Sequence, residues 1–76
     1  MLIRTQDKNE LVNAILISIK ESKKKSTIHA KYAGNHGFAD NDVELGEYNS
    51  KEMALKELDD LTRFLTDNPS GIYQMK

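Results

Sequence analysis

Apolar and polar residues alternate along most of this chain, and the period changes once, at Asn49–Ser50. Before that point Ile15, Ile17 and Ile19 recur at period two with Ser18 and Lys20 between them. Ile28, Ala30 and Tyr32 alternate in the same way with Thr27, His29 and Lys31. Alternation of this kind places one set of side chains on each face of a pleated strand. β-Branched residues are stiff in helices and pack well on a sheet, so Leu11–Glu21 reads as a strand, with a helix as the competing assignment. The polar segment Glu21–Ser26 between the two runs predicts an antiparallel hairpin. Residues 34–42 are rich in glycine, asparagine and aspartate and predict an exposed loop. Val43 and Leu45 share a strand face, and Gly46 is a bulge or close-approach position before Tyr48.

After Asn49 the period is helical. Ala54, Leu58, Leu61 and Leu65 form a stripe at i, i+4, i+7 and i+11, widened by Leu55 and Phe64. Asn49 or Ser50 caps the helix through a side-chain oxygen. Glu52–Lys56 and Asp59–Arg63 are i, i+4 pairs in the favourable order. Asn68-Pro69-Ser70-Gly71 ends it, because the residue before a proline is pushed out of helical dihedrals. Ile72–Met75 then reads as a closing strand. The predicted fold is α+β over a single domain, 1–76. An antiparallel sheet of four to five strands, near 1–5, 12–20, 27–33, 43–48 and 71–75, carries one long amphipathic helix near 50–66 on one face.

Composition narrows the functional classes. The 76 residues contain no cysteine, which excludes disulfides and thiolate metal sites and fits a reducing, cytoplasmic setting. The N-terminal residues show no secretory leader pattern, and the longest apolar run, Ala14–Ile17, is far too short to span a bilayer. The net charge of −1 divides unevenly, with +4 over residues 1–31 and −5 over residues 32–76. Complementary halves of this kind either pack on each other or favour association, and a homodimer is the expectation.

Candidate chemistry is sparse. Asp40, Asp42 and Glu44 alternate downstream of His29 and His36, but an EF-hand register from Asp40 puts Leu45 where glycine is needed and Lys51 where glutamate is needed. No metal or other cofactor is therefore expected. Ser50 reads as a cap rather than a nucleophile, and Glu57, Asp59 and Asp60 read as the solvated side of the helix, so no enzymatic activity is expected. Lys20, Lys23, Lys24, Lys25 and Lys31 cluster on the hairpin and offer weak, salt-sensitive contact with nucleic-acid phosphates. Phe38, Tyr48, Tyr73 and Met75 supply contact area for a protein partner if exposed, or core if not. Edge strands at Met1–Gln6, Gly71–Met75 or one arm of the lysine hairpin invite strand addition.

The segments Leu45-Gly-Glu-Tyr-Asn-Ser-Lys-Glu and Ile72-Tyr-Gln-Met75 carry a resemblance. The chain resembles a loose group of small uncharacterised proteins of Gram-positive bacteria and their phages or plasmids. These share a leucine-glycine-x-tyrosine strand, a helix opening with serine-lysine-glutamate, and a tyrosine-x-methionine ending. The resemblance covers about the last 35 residues and implies an α+β fold and an accessory role, with no catalytic residues attached. The function expected is thus a protein-interaction module or homo-oligomer, with weak nucleic-acid binding as the alternative.

Overall fold

The computed structural model describes residues 1–32 and 41–76. Its elements are β1 (Leu2–Arg4), β2 (Leu11–Glu21), β3 (Ser26–Tyr32), β4 (Asp42–Tyr48), α1 (Lys51–Asp67) and β5 (Ile72–Gln74). They form an α+β fold in which one five-stranded sheet, ordered β4-β3-β2-β1-β5, carries the helix on one face. Leu11–Glu21 is a strand, as its β-branched residues predict. The sheet departs from the expected antiparallel pattern at one pair, since β5 runs parallel to β1 with Ile3 beside Tyr73. The reason is topological: α1 carries the chain across the sheet before β5 begins at the far edge.

Two bulges set which side chains are buried. Ala14 pairs with Tyr32 but Leu16 pairs with Lys31, so Ile15 is an extra residue in β2. The inward set therefore changes parity, from Val12 and Ala14 to Ile17 and Ile19, and Ile15 does not share their face as period two alone had implied. In β4, Ile28 faces Gly46 while His29 faces Glu44, which makes Leu45 the extra residue. A side chain on Gly46 would meet the Tyr48 hydroxyl at 2.8 Å, so glycine here leaves room for that ring.

Ser50 is the helix cap, its Oγ accepting from the Met53 N–H at 3.1 Å. The helix ends at Asp67, where the Asn68 N–H returns to the Phe64 carbonyl at 2.8 Å. Ala54 and Leu61 are fully buried against Ile3, Ile28 and Leu45, while Leu58 and Leu65 are only partly covered. The anticipated Glu52–Lys56 and Asp59–Arg63 pairs do not form; Arg63 instead lies 3.9 Å from Asp60. Glu57 corrects the sequence reading more sharply. It is only 5% exposed, and its Oε2 accepts the Lys76 N–H at 2.6 Å. Position 57 lies three residues after Ala54 and four before Leu61, so it belongs to the buried stripe rather than the solvated side.

Gln6 curls the sheet by joining its ends. Its N–H donates to the Leu45 carbonyl at 2.7 Å, and its side chain accepts from the Glu47 N–H at 2.9 Å and donates to the Lys76 carbonyl at 3.0 Å. The outer edge of β4 is thereby partly covered.

Candidate interaction surface

The surface is built from the long strand β2. β1 pairs with it only at Leu11, Val12 and Asn13, and the Met1 carbonyl takes one more bond, from the Ala14 N–H at 2.7 Å. From Leu16 to Glu21 one edge of β2 is paired with β3, but among the described residues no strand covers the outer edge from Ile15 onward. The ladder fixes which peptide groups are left. The Ser22 N–H bonds to the Lys25 carbonyl at 2.9 Å across the turn. Hydrogen-bonded pairs alternate along an antiparallel ladder, so they recur at Lys20/Thr27, Ser18/His29 and Leu16/Lys31. The peptide groups of Ile17, Ile19 and Glu21 then point outward, away from β3.

Side chains make this edge adhesive on both faces. Ile15 is 47% and Leu16 53% exposed. On the helix side a groove of about 410 Å³ opens beside Ile17, between Met1 and the helix residues Leu58, Leu61 and Leu65. A long edge that lacks a charge until Lys20 has few of the devices that normally discourage pairing.

The residues proposed from sequence as a protein contact lie elsewhere. Tyr48, Tyr73 and Met75 are buried in the core, which corrects their reading as contact residues. Phe38 lies outside the described residues. Tyr73 packs against Phe64 with ring centroids 5.4 Å apart. Among the described residues no acceptor lies in bonding geometry with the Tyr48 hydroxyl, and the Tyr73 hydroxyl has the Glu57 carboxylate beside it. Burial first, and then the nearby Glu57 carboxylate, pushes both phenols well above their usual range. The exposed β2 residues were within reach of sequence reasoning, since one arm of the hairpin was an expected edge. The unbroken apolar run Ala14–Ile17 was the signal that alternation fails there.

Two of the five hairpin lysines, Lys20 and Lys25, are engaged with β4. Lys20 Nζ bonds Asp42 Oδ2 at 2.8 Å, and Lys25 pairs with Glu47. Lys20 holds the Asp42 carboxyl below its usual range, with lesser help from His29 and Lys31. His29 Nε2 meets Thr27 Oγ1 at 2.9 Å, while its Nδ1 lies 3.5 Å from Asp42 Oδ1, too loosely for a hydrogen bond. Lys23 and Lys24, at the tip, have no ion-pair partner among the described residues. Of the residues weighed for a metal, Asp40 and His36 lie outside the described residues, and Asp42 is committed to Lys20. Among the described residues no three histidine, aspartate or glutamate side chains gather at a metal-binding distance. No helix among them is long and apolar enough to cross a membrane. Comparison with protein-family models, curated proteins and solved structures finds no match to this chain.

Proposed function

We propose that this chain is a non-catalytic protein-interaction module that works by strand addition at the β2 edge, as a homo-oligomer or an accessory subunit. One observation carries the reading: among the described residues no strand covers the outer edge of Ile15–Glu21, seven consecutive residues that expose Ile15 and Leu16. Main-chain hydrogen bonds at such an edge supply affinity, and the flanking side chains supply selectivity. The lack of cysteine supports a reducing cytosol as its setting.

Affinity capture with the tagged chain, run beside Leu16→Lys, tests the reading. Leu16 is exposed, so the variant keeps the fold while placing a charge on the edge. Proteins retained by the parent and lost by the variant support strand addition, whereas identical capture by both refutes it. Nucleic-acid binding through Lys20, Lys23, Lys24, Lys25 and Lys31 is less well supported, because Lys20 and Lys25 already serve carboxylates of β4. A low-salt gel shift abolished by Lys23→Ala with Lys24→Ala would restore it.

A further inference from the structure

We infer that the occupant of the β2 edge is a second copy of this chain, paired antiparallel about a twofold axis at Ser18. The inference rests on the strand-addition reading and adds the partner and its register. Ser18 is the midpoint of the uncovered segment Ile15–Glu21, so a twofold axis there uses every uncovered residue and stops where Met1 covers Ala14. In this register Ile17 faces Ile19 of the second copy, Leu16 faces Lys20, and Ile15 faces Glu21.

The hydrogen bonds and the isoleucine pairing of that register are favourable, and its one unlike pair, Ile15 with Glu21, falls at the ends of the seam. Ile17 and Ile19 carry the outward peptide groups, so their two symmetric pairings are the hydrogen-bonded ones and Ser18 falls at a close, non-hydrogen-bonded pair. The same two isoleucines lie on the helix face, where both copies present their grooves to each other. Leu58 and Leu65 of the two helices then close over a continuous apolar seam. On the opposite face Lys20 sits beside Leu16 rather than another lysine, its ammonium held by Asp42 of its own copy. An axis one position further along, at Ile19, sets Glu21 against Ile17 inside the seam and leaves Ile15 and Leu16 bare. An axis centred at Ile17 sends Lys20 toward the Met1-covered end.

The absence of native cysteine makes the test clean. Cα atoms of a non-hydrogen-bonded pair sit about 4.5 Å apart, within disulfide range. Ser18→Cys should therefore form a disulfide dimer on mild oxidation. Leu16→Cys mixed with Lys20→Cys should give the mixed dimer, while Leu16→Cys alone should not link. All three positions are exposed, so a folding failure at one leaves the others as the readout. Light scattering at low and high protein concentration should show the mass rising from one chain to two. A two-chain mass without these cross-links overturns the register but leaves strand addition standing. A one-chain mass at every concentration overturns self-pairing, and differential capture with Leu16→Lys then decides strand addition by itself.

Discussion

Tyr48 and Tyr73 bury their hydroxyl groups; that of Tyr48 finds no acceptor among the described residues, while that of Tyr73 lies beside the Glu57 carboxylate. An unmet buried hydroxyl costs free energy that a phenylalanine avoids, so Tyr48→Phe should be neutral or stabilising by up to about 1 kcal/mol at neutral pH, and Tyr73→Phe closer to neutral. The same residues set an alkaline limit. Their folded-state pKa values are raised above the ordinary value of 10.0, so above that pH the unfolded chain loses protons that the folded chain keeps. Stability is fully present below pH 10 and falls as the pH rises beyond it, and each phenylalanine variant should flatten that fall in denaturant titrations. Asp42 has the opposite sign. Its pKa is lowered, so its contribution is present above the ordinary 3.8 and lost as the pH falls through the folded value. Asp42→Asn should make stability less dependent on pH in acid, and an unaltered acid limb would disprove the Lys20 pairing. None of this was legible in the sequence. A tyrosine at a contact and a tyrosine in a core look alike until neighbours are known, and Glu57 looked solvated because a glutamate seldom occupies an apolar stripe.

At the scale of elements, the period change at Asn49–Ser50 located the helix to within a residue, and β-branching separated strand from helix over Leu11–Glu21. What alternation missed was the bulge at Ile15; the one at Leu45 adjoins Gly46, which the sequence had marked as a bulge or close-approach position. An extra residue in a strand reverses which side chains face inward, and the register with the partner strand locates it. The helix stripe was likewise read about one position off, centred on Leu58 when the buried line runs through Ala54, Glu57 and Leu61. This predicts a ranking. Leu61→Ala should cost about 2–5 kcal/mol through the cavity it leaves. Leu58→Ala, at the rim of the groove, should cost distinctly less. Equal shifts of the urea midpoint for the two variants would reject the packing described here. Ser50→Ala removes the cap bond to Met53 and should cost about 1 kcal/mol.

For the whole molecule, a domain of this length has about 4–11 kcal/mol of stability at the usual per-residue values, so a few polar contacts between distant segments matter. Gln6 supplies such a contact. It follows β1 in the chain, yet it bonds to β4 at the other end of the strand order and to Lys76 beyond β5. Three segments far apart in sequence are thus held by one side chain, and no local pattern around Gln6 announces it. Gln6→Ala keeps the backbone bond to Leu45 but removes the side-chain bonds to Glu47 and Lys76. The partners regain water on an exposed rim, so the cost should be modest, about 1–2 kcal/mol for bonds of this kind. Gln6→Glu should cost more, because a carboxylate would face the Glu47 and Lys76 carbonyls that now accept from the amide. Amide hydrogen exchange localises the effect. In Gln6→Ala the Glu47 amide should lose protection while the β2–β3 ladder keeps it, since β3 pairs with both neighbours independently of Gln6. Unchanged protection at Glu47 would show that β4 is held by β3 and the helix alone.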